Sequence, residues 1–156
     1  MILYHGTNTP FADIDLRKSN PSKDFGRAFY LSDEESQADE MAAFKVNTFG
    51  GSKIIQRYQF DECILQSSAI RYKKFESYTE EWARFILANR NDPAFQHDYD
   101  IIYGPIANDR IGRQIFNFEA GYIDFATFIE RIKFPQGITF QYAFCTPRAI
   151  NELSKL

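Results

Sequence analysis

Apolar residues recur along the whole chain in short runs whose spacing is that of strands in some segments and of helices in others. The clearest alternation lies in residues 138–145, where Ile138, Phe140, Tyr142 and Phe144 share one face of a predicted strand. Thr139, Gln141, Ala143 and Cys145 share the opposite face, whose members are small or polar. Other apolar runs predict strands at residues 2–5, 28–31, 54–60, 69–72 and 100–103.

Helical spacing follows several of these strands. Ser32 and Glu35 predict a capping box at the start of one helix, in which Ala38, Met41 and Ala42 recur at the spacing of a buried face. Further helices are predicted over residues 79–89 with a capping box from Ser77 to Glu80, over residues 122–132, and from Thr146-Pro147 through Leu153. Gly6 is predicted to end the first strand, and residues 17–27 are predicted to form a loop. The mixture predicts an α+β fold.

Size and composition predict one folded domain over residues 1–156. Apolar residues make up 44% of the chain and charged residues 25%, which is ordinary globular usage and argues against disorder. The aromatic share of 17% is high and predicts a bulky interior with an aromatic-lined cleft.

Charge, cysteines and hydropathy exclude several classes of function. A net charge of −3 without a basic arm does not favour broad nucleic-acid binding. Cys63 and Cys145 are too few for a disulfide scaffold and show no metal-ligand spacing, so reduced thiols and no bound metal are expected. The sequence shows neither a secretory signal nor an apolar run of membrane-spanning length. These features predict a soluble, cytoplasmic protein without a membrane partner.

Three polar or aromatic residues at strand positions are the candidates for chemistry. Taken separately, Gln141 is interpreted as a solvent-facing strand residue, His5 as a structural histidine and Tyr30 as a core aromatic. Taken together with their neighbours, they form a three-part pattern: Tyr4-His5-Gly6-Thr7, then Phe25-Gly26-Arg27-Ala28-Phe29-Tyr30-Leu31-Ser32, then Gln141-Tyr142-Ala143-Phe144. This pattern resembles the signature of the diphtheria-toxin/poly(ADP-ribose) polymerase class of ADP-ribosyltransferases. In that class a His, a Tyr and a Glu converge in a cleft that binds NAD, within a split β-sheet core surrounded by helices.

The resemblance extends along nearly the full chain to a family of small bacterial proteins. The stretches that carry it are Glu80-Glu81-Trp82 with Asn89-Arg90, Tyr99-Asp100-Ile101-Ile102 with Gly104-Pro105 and Ala107-Asn108-Asp109, and the Gln-aromatic-x-Phe strand. Members of that family are often encoded beside a small partner protein, in an arrangement that looks like a toxin–antitoxin pair.

The resemblance implies an NAD site with defined roles. His5 would hold a ribose hydroxyl, the backbone of Gly6 would pair with the nicotinamide carboxamide, and Tyr30 would pack on the nicotinamide ring. Gln141 would contact the nicotinamide-bound ribose, and His5, Tyr30 and Gln141 are the expected catalytic residues. The expected NAD-binding residues are His5, Gly6, Thr7, Phe29, Tyr30, Ser32, Met41 and Gln141.

Two residues depart from the pattern of the class. Gln141 stands where the class usually has Glu, and a neutral amide can accept a hydrogen bond from the ribose 2′-hydroxyl but cannot oppose a developing cation. Gln at this place is nevertheless usual in the small bacterial family. Met41 stands where related sequences carry an aromatic residue that closes the second side of the nicotinamide site. Met41 is alternatively interpreted as a plain core residue of its helix.

The function implied by the resemblance is mono-ADP-ribosylation with NAD as substrate. The acceptor would be a protein or a nucleic acid, and the partner would be a small cognate antitoxin protein. Two alternatives stay open: an NAD glycohydrolase with water as acceptor, and a non-catalytic module that binds NAD or a partner on the same fold. Asn108 and Asp109 follow the Gly104-Pro105 turn and are interpreted as part of a rim without an assigned role.

Overall fold

The computed structural model of the chain describes residues 1–107, 110–133 and 137–156, and within these ranges it confirms the predicted α+β fold. The strands are β1 (Ile2–Thr7), β2 (Phe29–Leu31), β3 (Ile54–Phe60), β4 (Tyr72–Lys74), β5 (Ile101–Pro105), β6 (Phe140–Phe144) and β7 (Leu153–Lys155). The α-helices are α1 (Glu35–Phe49), α2 (Glu80–Asn91), α3 (Ile111–Glu119), α4 (Phe125–Ile132) and α5 (Pro147–Ile150). Two short 3₁₀ helices cover Leu16–Lys18 and Glu62–Gln66.

The strands form two sheets that are joined at one point. The first sheet has the antiparallel order β1-β3-β7, and the second has the order β2-β6-β5-β4, in which only β4 and β5 run parallel. An isolated bridge links them, because Tyr4 N donates to Ser32 O over 2.8 Å and Ser32 N donates to Tyr4 O over 2.9 Å. Within the described residues, no ladder between β1 and β2 continues this bridge.

The two faces predicted for the strand at residues 138–145 enter two different parts of the core. Tyr142 and Phe144 lie in the cluster between the sheets, with Leu3 and Phe60. Ala143 lies in the cluster that packs the second sheet against α2, α3 and α4. Both faces of β6 are therefore covered from Tyr142 to Phe144, whereas Gln141 is partly exposed and lines a cavity.

The first strand does not end at Gly6, as predicted, but continues to Thr7. Its ladder with β3 runs without a break, with Gly6 opposite Ile55 and Thr7 opposite Ile54. A glycine fits here because α1 crosses β1 closely, so that a Cβ at Gly6 would lie 1.9 Å from Ala38 O.

Neither of the two predicted capping boxes forms. Ser32 remains in the bridge to Tyr4, so α1 begins only at Glu35, while the Ser32 hydroxyl accepts from Glu34 N over 2.9 Å. In α2 the N-cap is Thr79, whose hydroxyl accepts from Trp82 N over 3.2 Å. The predicted N-cap at Thr146 is confirmed, because its hydroxyl accepts from Ala149 N over 3.2 Å.

Several element boundaries differ from the predictions. The helix predicted at residues 122–132 begins at Phe125, where Asp124 Oδ1 accepts from Thr127 N over 2.7 Å. The strand predicted at residues 69–72 begins only at Tyr72. Leu153 belongs to β7, which pairs with β3, and not to a terminal helix. Helix α3 was not predicted.

Asn108 and Asp109 lie outside the described residues. Among the helices of the described ranges, none is long and apolar enough to cross a membrane.

Candidate active site

A cavity of about 390 Å³ lies beside the bridge between the two sheets, with the bridge residues Tyr4 and Ser32 in its lining. It brings together residues from six separated stretches of the chain, which are β1, the segment from residue 23 to Ser32, α1, the end of α2, the residues that follow β5, and β6. Six of the eight predicted NAD-binding residues line it: His5, Gly6, Tyr30, Ser32, Met41 and Gln141. Met41 is 49% exposed, so its interpretation as a core residue of α1 is wrong.

The other two predicted residues lie behind the cavity wall. Phe29 is buried between the sheets, and its ring centroid lies 4.4 Å from that of His5, so it supports the imidazole from behind. Thr7 is buried, and its hydroxyl donates to Thr9 O over 3.1 Å and accepts from Thr9 N over 3.3 Å. Its hydrogen bonds therefore shape the turn after β1 rather than the cavity.

The imidazole of His5 is held as a neutral hydrogen-bond acceptor. Its Nδ1 lies 2.8 Å from Tyr30 O, and because a carbonyl can only accept, Nδ1 carries the proton and Nε2 keeps its lone pair. Burial lowers the pKa of His5 to about 4; the Tyr30 carbonyl opposes this, and the positive charges of Lys45 and Lys23 reinforce it. At neutral pH, Nε2 can therefore accept a hydrogen bond from a ligand hydroxyl.

The backbone of Gly6 faces the gap between the sheets. Met1 and Phe60 are a hydrogen-bonded pair of the β1–β3 ladder, and alternation turns the N–H and C=O of Tyr4 and Gly6 to the opposite side. Tyr4 uses this side for the bridge to Ser32. The Gly6 carbonyl accepts from Lys45 Nζ over 2.7 Å, so a ligand amide here would share the carbonyl with Lys45 or displace it.

The ring of Tyr30 is fixed by its hydroxyl group. This hydroxyl donates to Gly26 O over 2.7 Å and accepts from Phe25 N over 3.1 Å. Burial and the negative charge of Asp24 raise the pKa of Tyr30, so the side chain stays a neutral phenol. Lys23 Nζ lies 5.0 Å from the ring centroid, which places a cation over the aromatic face.

Gln141 lies beside a buried carboxylate that the sequence patterns did not indicate. Its Nε2 donates to Asp24 Oδ2 over 3.4 Å, and Asp24 forms an ion pair with Arg90, whose Nη2 lies 2.6 Å from Asp24 Oδ1. Their positions in the sequence could have indicated these two residues. Asp24 directly precedes the Phe25-Gly26 motif, and Arg90 is the last residue of the Asn89-Arg90 stretch.

Comparison with known proteins assigns the chain to a family. A family model described as "Protein of unknown function (DUF3990)" matches residues 1–154. The chain belongs to the DUF3990 family. No curated protein and no solved structure matches the chain. In this DUF3990 member the match spans every residue that lines the cavity, but the family description carries no activity, so function must be argued from the site itself.

A larger cavity of about 600 Å³ is lined by Gly26 and Arg27 together with residues that follow α2. It contains His97, but both ring nitrogens are engaged, since Nδ1 accepts from Tyr99 N over 3.2 Å and Nε2 therefore donates to Phe25 O over 2.8 Å. Burial and then Asp100 raise the pKa of its Cys145 thiol to about 12, so the thiolate is not populated. In this part of the described chain neither group is available for chemistry, and we assign the candidate site to the smaller cavity.

The lowered pKa of His5 predicts that acid destabilises the protein in a defined range. The unfolded chain binds a proton at His5 below about pH 6.5, whereas the folded chain does so only below about pH 4, so stability is lost as the pH falls between these values. The expected loss of unfolding free energy from this group is about 3 kcal/mol by pH 4.

Urea unfolding at pH 7, 5.5 and 4.5 measures this loss. His5→Gln, which removes the titrating group but keeps a polar side chain, serves as the control for all other titrations. We expect the wild-type free energy to fall more steeply with acid than that of His5→Gln. Equal slopes would contradict the neutral state assigned to His5.

Proposed function

We propose that the protein is an NAD-dependent mono-ADP-ribosyltransferase. The observation that carries the proposal is the convergence of His5, Gly6, Tyr30 and Gln141 on one cavity, although they come from three strands that are distant in sequence. They occupy the positions of the three-part pattern that resembles the diphtheria-toxin/poly(ADP-ribose) polymerase class, with Gln141 at the place where that class usually has Glu. Chance convergence of the three parts of one sequence signature is a poor alternative explanation.

The proposed reaction breaks the bond between nicotinamide and ribose. The bonding electron pair leaves with the nicotinamide nitrogen, positive charge develops on the ribose, and a nucleophile of the acceptor attacks and loses its proton to solvent. His5 Nε2 would accept from a ribose hydroxyl and Gln141 would accept from the 2′-hydroxyl, so both groups hold the ribose during charge development. The Gly6 backbone and the Tyr30 ring would orient the nicotinamide.

The charges around the cavity suit the diphosphate of NAD. Lys23, Lys45 and Arg90 line the cavity, while Asp24 is the one carboxylate in its described lining and is paired with Arg90. Burial, and then the charge of Lys23, lower the pKa of Lys45 to about 8. Burial also lowers the pKa of Lys23, which the negative charge of Asp24 only partly opposes. An anionic ligand would supply the missing counter-charge.

Lys45 gives this argument a direct test. Replacing Lys45 by methionine is expected to weaken the binding of ADP-ribose about tenfold, because a hydrogen bond between two charged groups is lost. Wild-type affinity should fall as the pH rises from 7 to 9 through the pKa of Lys45, whereas that of Lys45→Met should change less. Isothermal titration calorimetry measures both quantities. An affinity for ADP-ribose that Lys45→Met leaves unchanged would exclude Lys45 as a diphosphate ligand.

The cellular role that fits this chemistry is that of a bacterial toxin-type protein of the cytoplasm, where NAD and macromolecular acceptors are present. A protein or a nucleic acid would receive the ADP-ribose, and a small cognate antitoxin protein would restrain the activity. Expression of the wild type in bacteria should then arrest growth, and expression of His5→Ala should not. Harmless expression of both would remove the toxin role while leaving the enzymatic proposal to be tested separately.

NAD turnover tests the function itself. The purified protein is incubated with NAD labelled in the adenylate half, with and without bacterial lysate, and free nicotinamide and macromolecular label are measured. Nicotinamide release with transfer of label, both lost in His5→Ala, supports the transferase. Release without transfer in either condition would identify an NAD glycohydrolase, and binding without release would identify a non-catalytic module.

A further inference from the structure

Asp24 is a buried carboxylate in the wall of the candidate site, and its contacts hold it in one orientation. It is 6% exposed. Its Oδ1 accepts from Arg90 Nε over 2.7 Å and lies 2.6 Å from Arg90 Nη2, and its Oδ2 accepts from Ala107 N over 3.3 Å. Its backbone carbonyl accepts from Asn89 Nδ2 over 3.2 Å. Both carboxylate oxygens are therefore fixed before Gln141 is considered.

The contact between Asp24 and Gln141 determines which way the amide points. Asp24 Oδ2 lies 3.4 Å from Gln141 Nε2, and an ionised carboxylate can only accept hydrogen bonds. The NH₂ group of Gln141 must therefore face Asp24, and its Oε1 must point away from Asp24. Gln141 lines the cavity, so its carbonyl oxygen is the polar atom left to meet a ligand.

We propose that Asp24 is a positioning residue that holds and polarises the Gln141 amide, so that Gln141 Oε1 accepts a ribose hydroxyl of the substrate. The proposal rests on the NAD-dependent function proposed above. A negative charge beside the NH₂ group draws positive charge to the nitrogen and leaves Oε1 more negative, as in a chain of cooperative hydrogen bonds. The pair thereby replaces part of the electrostatic role of a carboxylate at position 141.

The same geometry accounts for an amide at position 141. A carboxylate there would lie within about 3.4 Å of the Asp24 carboxylate, and two like charges at that distance repel each other in a partly buried site. Gln141 is thus the residue type that matches Asp24, and restoring the Glu of the wider class should impair the site. Exchanging the carboxylate and the amide between the two positions should relieve the repulsion.

Four proteins test the proposal against the wild type: Asp24→Asn, Gln141→Glu, the double variant with both changes, and Asp100→Asn as a matched control. Asp100 is also a buried carboxylate, 1% exposed, that accepts from Arg71 N over 2.8 Å and from Thr146 Oγ1 over 2.7 Å, and it does not line the candidate site. Urea unfolding of every variant shows which effects are structural.

The first readout is the single-turnover rate of nicotinamide release. We expect Asp24→Asn and Gln141→Glu each to lower the rate about tenfold or more, since a misplaced group at the reacting centre has effects of this size. The double variant should be about tenfold faster than Gln141→Glu, and Asp100→Asn should stay close to the wild type. A rate for Asp24→Asn equal to that of Asp100→Asn, or a double variant no faster than Gln141→Glu, would overturn the proposal.

The second readout does not depend on activity. Carbon-13 NMR of labelled glutamate side chains follows the titration of the carboxyl group introduced at position 141. With Asp24 present its pKa should lie above the usual range for Glu, and Asp24→Asn should bring it down. If Asp24→Asn leaves the pKa of the introduced carboxyl group unchanged, the proposal is overturned. A wild type that releases no nicotinamide refutes the proposed function, and this titration then decides the Asp24–Gln141 contact alone.

Discussion

Replacing Gly6 by alanine is expected to destabilise the protein by about 3 kcal/mol or more, which is at the upper end for an overpacked site. A Cβ at this position would lie 1.9 Å from Ala38 O, 2.8 Å from Ala42 N and 2.9 Å from Ala38 C. All three atoms belong to the backbone of α1, so no side-chain rotation relieves the contact. The helix and β1 would have to separate, although β1 is fixed by its ladder with β3 and α1 is packed through the buried Ala38 and Ala42.

Urea denaturation measures this loss, and Gly112→Ala is the matched control. Gly112 lies in α3 with no heavy atom within 4 Å of a built Cβ, so alanine there should raise the free energy of unfolding by about 0.5–1 kcal/mol. The two substitutions add the same methyl group with opposite expected signs. A Gly6→Ala variant as stable as the wild type would mean that α1 does not approach β1 as closely as described.

The close crossing at Gly6 also builds one wall of the candidate site. Because α1 lies directly against β1, Lys45 reaches the Gly6 carbonyl and Met41 lies at the edge of the cavity. A Gly6→Ala variant that still folds should therefore lose the Lys45 contact together with its affinity for ADP-ribose. The absence of a side chain at Gly6 allows α1 to pack closely against β1. The same absence leaves the Gly6 backbone accessible to a ligand in the cavity.

The parts of the fold that local patterns could predict are those in which a single segment carries the signal. The alternation around β6 predicted correctly that Tyr142 and Phe144 share a face and that Ala143 lies on the other. Helix α3 was missed because Gly112 and Arg113 stand among its apolar residues and weaken the pattern, although Ile111 and Ile115 are buried. The prediction that Ser32 caps α1 was wrong because the backbone of Ser32 forms the bridge with Tyr4. Tyr4 is distant in sequence, so no local pattern indicates this pairing.

The candidate site was predictable only where it coincided with a motif. His5, Tyr30 and Gln141 were recognisable from the residues around them, and six of the eight expected residues line one cavity. Asp24 is separated from Arg90 by 66 positions and from Gln141 by 117, so its role depends on contacts that form only in the folded chain. The distribution of charge in the candidate site depends on contacts between residues far apart in sequence, such as Asp24 and Arg90. Sequence patterns therefore indicated which residues line the site better than they indicated its charge.

Replacing His5 by alanine is expected to lower the rate of nicotinamide release about hundredfold or more. The imidazole supplies an acceptor at Nε2 that stays unprotonated above about pH 4, and an alanine would leave the ribose hydroxyl without a partner during charge development. The loss should appear mainly in kcat/KM measured by release of nicotinamide from NAD, because His5 would act on the ribose and not on the adenylate half. Affinity for ADP should remain close to that of the wild type.

His97→Ala is the control that separates this chemical role from a structural one. The chain has two histidines, and each places one ring nitrogen 2.8 Å from a backbone carbonyl, His5 on Tyr30 O and His97 on Phe25 O. They differ in that His97 engages its second nitrogen with Tyr99 N and lines the larger cavity, whereas His5 Nε2 has no hydrogen-bond partner among the described residues and His5 lines the candidate site. We therefore expect His97→Ala to change the rate by less than about threefold at temperatures where it stays folded. Equal losses of rate in the two variants would show that His5 contributes as a packing residue, and the ribose-holding role would have to be abandoned.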